Sequence, residues 1–529
     1  MVFRTSLVVG TLLVSAHAAL AAPGGAHRAR MSADLQDHLN VGSQAIEVIV
    51  DGDAATIDAL AARYNLRVTK RIESGAVLTV NAGQLAALQQ DEAVDHLSGN
   101  VRIQSSDAVT AESIGADQVW AGSEAVKGLT GAGITVAVID SGIDTTHAAL
   151  RGRVIATKDF VGGDGRDLYG HGTHIAGIIA GQGVSTPDGQ DYRGIAFGAY
   201  LVNLRVLDGT GGGNVADVVD AIDWAVAHRK EFNIRVINLS LGAPVLQPYR
   251  DDPLCEAVER AVKKGLVVVA AAGNYGRNDR GQMVLGSITS PANSPYAIAV
   301  GAIDTQGTPQ RSDDTVASWS SRGPTAYDLL LKPDLAAPGV RIASAQAAGA
   351  YLPTTYPARH VTGDGANAYL QLSGTSQAAA VVTGAAALLL DQHKEIKSAD
   401  LKVALQLSSS FMWEAGLVSA GAGSVNVLAA VELSEQDGLL ATEMPRETIG
   451  SPGLTFLVSA ALGIQNVRNA MAMPTVRGET IVWGSTIVWG STIVWGASET
   501  LANTIVWGAT IVWGVADNTW GGVGGSTIV

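Results

Sequence analysis

The sequence predicts an α/β chain built on a doubly wound, mostly parallel sheet, preceded by a small α+β domain and followed by a short tail of β repeats. Three observations carry this. Between Asp107 and Leu440, apolar runs of strand length alternate with amphipathic helical patterns, the pattern of a parallel sheet covered on both faces. Ahead of that region, over 45–104, the order reads β-α-β-β-α-β, a ferredoxin-like plan. Beyond Leu440, over 441–529, the unit Thr-Ile-Val-Trp-Gly recurs.

Taken in order, Met1 to Ala22 has the make-up of an export signal. Arg4 gives a positive start, Leu7 to Ala16 an apolar stretch, and Ala19-Leu20-Ala21 a small-residue cleavage site. Pro23-Gly24-Gly25 ends the run short of a membrane span. The expected destination is therefore secretion, to the medium or the cell envelope, with no integral membrane segment in the mature chain. Ala378 to Leu390 is apolar but too short to cross a bilayer, and suits a buried core helix. At 529 residues, with 47% hydrophobic and 16% charged, the chain can bury a large core in more than one domain. A net charge of -14 argues against nucleic-acid partners. A single cysteine, Cys255, excludes an internal disulfide and reads as a small apolar residue in a helix.

In the small domain, Ala45 to Val50 predicts a strand and Ala55 to Tyr64 a helix with Ile57, Leu60 and Ala61 on one face. Arg67 to Val80 holds two strands joined near Ser74-Gly75, Ala82 to Gln90 a second helix, and Val94 to Ile103 a last strand. In the large region the strands are Ile134–Ile139, Tyr200–Leu207, Arg235–Leu241, Leu266–Ala272 and Tyr296–Val300. Helical faces are formed by Val215, Val218, Val219, Ile222 and Val226, and by Ala257, Val258, Ala261 and Val262. In such sheets the site lies beyond the carboxyl ends of the strands. Asp140, Ser240-Leu241-Gly242 and Gly273-Asn274 all stand there.

Three segments supply chemistry. Val136-Ala137-Val138-Ile139-Asp140-Ser141-Gly142 brings an aspartate to a strand end. His171-Gly172-Thr173-His174-Ile175-Ala176-Gly177 brings a histidine to a helix start. Leu372-Ser373-Gly374-Thr375-Ser376-Gln377-Ala378-Ala379-Ala380 brings a serine to the start of a helix with no charge through Leu390. A serine hydroxyl needs a neighbouring base before it can attack. The Asp, His, Ser order is that of subtilisin, unlike chymotrypsin or the α/β-hydrolases. On these segments, with Val269-Ala270-Ala271-Ala272-Gly273-Asn274, Ser318-Trp319-Ser320-Ser321-Arg322-Gly323-Pro324 and Lys332-Pro333-Asp334-Leu335-Ala336-Ala337-Pro338-Gly339, the chain resembles the subtilisin-like serine proteases, the subtilase family.

The resemblance implies a serine endopeptidase acting on proteins and peptides through an acyl-enzyme, with Ser376 as nucleophile, His171 as general base and Asp140 orienting the imidazole. Asn274 would donate to the oxyanion. Ser240, Leu241, Gly242, Ala271, Ala272 and Gly273 would form the specificity-pocket walls, roomy enough for a large apolar side chain. Gly211, Gly212 and Gly213 would offer an edge to extended substrate. The 45–104 domain would serve as inhibitory prodomain and folding aid, cut near Gln104 to Asp107. Two departures stand out: Gln377 replaces the usual methionine, and Ala380-Val381 the usual Pro-His.

No cofactor is needed for this chemistry, and structural calcium is left open. Asp159, Asp164, Asp167 and Asp188 match no ligand spacing and read as solvated loop carboxylates. His174 lacks a carboxylate or cysteine cluster and reads as structural rather than metal-binding. A sedolisin-like enzyme shares Ser-Gly-Thr-Ser but would use a Glu–Asp pair in place of histidine. The rival from another class is a catalytically silent exported binding protein with a tryptophan-rich repeat. More than half of the ten tryptophans lie in the tail, whose β-branched and aromatic units closed by glycine predict short strands with tight turns.

Overall fold

The computed structural model of the chain describes residues 28–31, 35, 45–72, 74–99, 106–122, 127–433, 442–444, 447–451, 454–457, 481–483, 493–496 and 511–514. The export signal, Gln104 at the expected processing junction, and the repeat copies Thr486–Gly490, Thr504–Gly508 and Ser526–Val529 lie outside these residues. The chain forms two compact units, 1–103 and 104–529.

The first unit holds β1 (Arg30–Met31), β2 (Ile46–Asp51), α1 (Ala54–Tyr64), β3 (Arg67–Ile72), β4 (Gly75–Val80), α2 (Ala82–Gln89) and β5 (His96–Gly99). Helix α1 starts where the Asp53 carboxylate accepts the Thr56 amide at 2.8 Å, and it ends in a left-handed Asn65. Helix α2 opens on a reciprocal capping box between Asn81 and Gln84. The sheet order is β1-β5-β2-β4-β3, antiparallel except that β1 runs parallel to β5. Ile57 and Leu60 of α1 and Leu85 and Leu88 of α2 pack with Val48, Val50, Leu78, Val80 and Leu97 into one core. Strand β1 carries no periodic signal, being two residues long.

The second unit begins with α3 (Ser106–Ile114) and α4 (Ala116–Ala121), followed by β6 (Thr135–Asp140), β7 (Val154–Asp159), α5 (His171–Ala180), β8 (Tyr200–Arg205), α6 (Val215–His228), β9 (Ile234–Leu239), α7 (Pro253–Lys263), β10 (Val267–Ala271), β11 (Ile298–Asp304), β12 (Thr315–Val316) and β13 (Leu335–Pro338). Its main sheet runs β12-β11-β10-β9-β6-β8-β7 with β13 also on β11, and every pairing but β11–β12 is parallel. Strand β7 escapes a reading based on apolar runs because it is the sheet edge and half its residues face water.

Then come β14 (Ile342–Ala345), α8 (Tyr351–Thr355), β15 (His360–Thr362), β16 (Tyr369–Leu372), α9 (Thr375–Gln392), α10 (Ser398–Ser408) and α11 (Val427–Glu432). The period-two alternation of β6 divides the core. Val136 and Val138 face α5 and α9, while Ala137 and Ile139 face α6 and α7. Helix α9 is buried along nearly its whole length, and each of Leu388, Leu389 and Leu390 contributes about 1.5–3 kcal/mol by leaving water. This apolar support holds the helix that carries Ser376.

Three strands follow the last helix: β17 (Thr442–Met444), β18 (Glu447–Ile449) and β19 (Thr455–Leu457). They are tied to the body of the unit. Gln118 of α4 donates to Glu443 O at 2.9 Å, and Asn426 donates to the Thr442 hydroxyl at 2.8 Å. Glu447 accepts the Arg311 amide at 2.7 Å. The buried Arg311 guanidinium donates to Ser113 O at 2.7 Å and to Val425 O at 2.5 Å. Leu454 and Phe456 bury themselves with Leu331 and Ala422. A domain boundary at Leu440 therefore cuts through packed structure. Truncation after Leu440 is expected to lower the melting temperature by roughly 10 °C or more, because it empties an apolar site and strips Arg311 of a partner. Truncation after Leu457 should keep these contacts. Differential scanning fluorimetry in a Ser376→Ala background checks this; equal melting of the two truncations would refute it.

The remaining strands are β20 (Ile481–Trp483), β21 (Ile493–Gly496) and β22 (Ile511–Gly514). The expectation is short strands with tight turns; here β19 pairs with β20 and β21 with β22 in parallel, with Ile493 opposite Ile511 and Trp495 opposite Trp513. Parallel neighbours need a long return connection, so non-adjacent copies pair and like residues fall side by side.

Candidate active site

Asp140 ends β6 and His171 begins α5, and the sheet topology brings both to the same edge. The Asp140 side chain is buried, and its Oδ1 accepts His171 Nδ1 and the Ser141 amide, each at 2.8 Å. Its Oδ2 is buried with no hydrogen-bond partner among the described residues. Close approach of α5 to the strand end depends on Gly172. A Cβ there would lie 2.2 Å from Gly142 O and 3.1 Å from Asp140 Cβ. Burial pulls the His171 pKa down, but the Asp140 charge and hydrogen bond outweigh it, leaving the imidazole above its ordinary value.

A second carboxylate supports this start of α5. Asp167 accepts the Gly170 amide at 2.6 Å, the Thr173 amide at 2.8 Å and hydroxyl at 2.7 Å, and the Ser141 hydroxyl at 2.8 Å. Burial nevertheless pushes its pKa up. The expectation of a solvated loop carboxylate is corrected here, and also for Asp159, which forms a buried ion pair with Arg205 at 2.9 Å. Asp164 is exposed and pairs with Arg166, while Asp188 accepts the Tyr192 hydroxyl at 2.6 Å. His174 is buried, with Nε2 donating to Ile342 O at 3.1 Å and Leu370 O at 3.0 Å, so it ties α5 to β14 and β16. Burial drops its pKa to about 3, and it stays neutral. Among the described residues, no group of three or more His, Cys, Asp or Glu is placed to hold a metal. Cys255 is buried, donates to Asn293 Oδ1 at 3.2 Å, and has its thiol pKa pushed up by burial.

Ser376 is the second residue of α9, where amides lack intrahelical acceptors. Its hydroxyl donates to Ser240 O at 2.9 Å, and the Ser240 hydroxyl donates back to Ser376 O at 2.9 Å. Behind them Thr383 donates to Asn238 Oδ1, and Asn238 Nδ2 to the Ser240 hydroxyl, each at 2.9 Å. Asn274 follows the end of β10. Its Oδ1 accepts the Thr375 amide and hydroxyl, each at 3.0 Å. Because that amide can only donate, the Asn274 side chain is oriented with Nδ2 free to serve another acceptor. A Cβ built on Gly374 would lie 2.7 Å from Gln377 Oε1 and 3.7 Å from both Asn274 Nδ2 and the Ser376 amide, so the two donors and the Gln377 side chain all adjoin Gly374.

The segments Ser240–Gly242 and Ala271–Gly273, expected to wall a specificity pocket, converge on a residue that the sequence does not single out. A Cβ on Gly242 would lie 2.6 Å from Thr289 Oγ1, and one on Gly273 (φ +108) 2.7 Å from Thr289 Cγ2. The Thr289 amide donates to Ala272 O at 3.0 Å and the Ala243 amide to Ser290 O at 2.9 Å. Thr289 therefore lies between these two segments. Its loop has no periodicity, and only the Thr-Ser-Pro turn chemistry marks it. Gly212 and Gly213 are exposed, with the Gly213 backbone bridging antiparallel to Leu207.

Comparison with known proteins agrees with this geometry. The Peptidase_S8 profile, the Subtilase family, matches residues 131–436. Serine protease AprX of Bacillus subtilis (strain 168) is 38% identical over 305 residues, covering 56% of this chain and 66% of that protein. Subtilisin E of the same strain is 34% identical over 321 residues, covering 60% of this chain and 71% of that protein. Subtilisin of Bacillus pumilus is 35% identical over 318 residues, 59% of this chain and 98% of that protein. With a family match across more than half its length and a parallel sheet presenting Asp140, His171 and Asn274 at its carboxyl edge, the chain belongs to the subtilase family of serine endopeptidases.

Proposed function

We propose that this chain is a secreted, autoprocessed subtilase whose triad is Asp140, His171 and Ser376. The observation that carries it is the buried Asp140–His171 hydrogen bond at 2.8 Å, on the same sheet edge as the Asn274 amide oriented by Thr375. In the full chain the Ser376 hydroxyl rests on Ser240 O. Rotation about its Cα–Cβ bond releases it for deprotonation by His171 Nε2, and Oγ attacks the substrate carbonyl. Asp140 stabilises the imidazolium that forms. The Ser376 amide and Asn274 Nδ2 receive the developing oxyanion, aided by the positive end of α9. His171 then protonates the leaving amine, and water repeats the sequence on the acyl-enzyme.

The remaining organisation belongs to the same proposal. Residues 1–22 direct export, 45–104 act as inhibitor and folding aid until cut near Gln104 to Asp107, and the catalytic domain runs from 107 through Leu457. Support comes from the charged-then-apolar start of the chain and the independent core of the first unit. Substrates are flexible protein segments with a large apolar side chain beside the cleaved bond, admitted between Ser240–Gly242 and Ala271–Gly273 and paired to the edge at Gly211–Gly213. Among the described residues no helix is long and apolar enough to cross a membrane. The silent binding protein is not favoured, because it has no use for an oriented Asn274 or a paired His171.

Labelling by a sulfonyl fluoride, mapped by mass spectrometry, should fall on Ser376; an active protein labelled elsewhere would refute the assignment. The pH profile gives a second check. His171 must be neutral to act as base, and its pKa is raised from 6.5, so kcat/KM should fall as pH drops through a value above 6.5. An acidic limb at or below 6.5 would contradict the Asp140–His171 pairing.

A further inference from the structure

Beside His171 the surface carries an aromatic ledge that the reaction as described does not use. Helix α8 and the residue before it lie along the loop leading to His171. The Tyr351 amide donates to Leu168 O and the Leu352 amide to Tyr169 O, each at 2.9 Å. A Cβ on Gly170 would touch Pro353 Cδ at 3.2 Å. This backbone clamp stacks Tyr351 on Tyr169, with centroids 5.8 Å apart and planes at 14°. On its other flank the Tyr169 ring covers Gly211, where a Cβ would lie 2.6 Å from Cζ. Tyr351 is 46% exposed and Leu168 50%. Such side chains leave water only if something covers them, and here they adjoin the edge where substrate pairs.

Which substrate residue reaches them follows from strand geometry. Side chains of an extended chain alternate between two faces. A chain paired to the Gly211–Gly213 edge, with the side chain beside the cleaved bond between the two walls, turns the preceding side chain the other way, toward the His171 side. Tyr169 stands there, two residues ahead of His171. Resting on the protease reading above, we infer that Tyr169 and Tyr351 form a subsite for an aromatic side chain on the residue immediately N-terminal to the one whose carbonyl is attacked. An aromatic ring there extends the Tyr169–Tyr351 stack and covers the exposed faces.

The test uses enzyme purified from expression of the full chain and two fluorogenic tetrapeptides that differ only at that position, Phe or Ala. In the wild type the Phe peptide should have kcat/KM about five- to tenfold above the Ala peptide, expressed mainly in KM. In Tyr351→Ala this ratio should fall to about twofold or less, while Tyr351→Phe, which keeps the ring, should retain it. A ratio unchanged in Tyr351→Ala, or a wild type indifferent to Phe, overturns the subsite and leaves the protease reading standing. A wild type that hydrolyses neither peptide nor a single-residue nitrophenyl ester, which needs no contact beyond the specificity pocket, overturns the protease reading and the subsite with it.

Discussion

Ser376→Ala is expected to lower kcat for peptide hydrolysis on the order of 10⁶-fold, a magnitude taken from subtilisin, a relative of this chain. The loss is this large because hydroxyl, imidazole and carboxylate act as one unit: without Oγ there is no acyl-enzyme, and His171 has no proton to take. A residual rate should survive, since Asn274 and the α9 amides still polarise a bound carbonyl toward attack by water. The same substitution tests processing. If the active site cuts its own chain near Gln104 to Asp107, the variant should accumulate as uncut precursor on a denaturing gel. Normal cutting of Ser376→Ala in a host lacking other proteases would assign the cut to another enzyme, and undiminished hydrolysis would dismiss Ser376 as nucleophile.

Asn274→Ala should cost kcat on the order of 10²–10³-fold with little change in KM, again on the scale known for the corresponding donor of subtilisin. The split between the two constants is the informative part. Asn274 Nδ2 serves an oxygen whose charge appears only in the tetrahedral state, so its loss raises the barrier without weakening ground-state binding. Steady-state kinetics on one peptide decides the matter. A rise in KM with kcat intact would make Asn274 a substrate contact and nothing more. The bond from Thr375 to Asn274 Oδ1 at 3.0 Å also makes Thr375 the residue that keeps the amide from flipping.

How far the sequence could lead depended on where each residue's partners lie. The placement of Asp140, His171, Asn274 and Ser376 was legible because each stands near a strand end or helix start whose local pattern is strong. Thr289 was not, since its importance arises from Gly242 and Gly273, on two other segments, meeting at its side chain. Asp167 looked like one more acidic loop residue. Only the fold shows that the loop turns inward and gives it the amides of Gly170 and Thr173. Strands β17, β18 and β19 were lost for a related reason: they are three residues each, too short for periodicity, and they hold their place through Arg311, Gln406 and Ala422 rather than through any pattern of their own. Helix α9 illustrates the opposite limit, an uninterrupted apolar run whose burial could be read directly.

Arg311 carries one more consequence, which concerns the order in which the chain is made. Its guanidinium joins Ser113, near the beginning of the second unit, to Ser424 and Val425 far along the same unit, and its amide reaches on to Glu447. Translation delivers these partners at widely separated moments. A nascent chain already carries Asp140, His171 and Ser376 while the segment that completes the Arg311 clamp is still inside the ribosome. The strands through Leu457 emerge later still, and with them the contacts that Leu454 and Phe456 make with Leu331 and Ala422. The packing around the three side chains is thereby completed only after all of them have been made, since Val425 and Glu447 follow Ser376 in the chain.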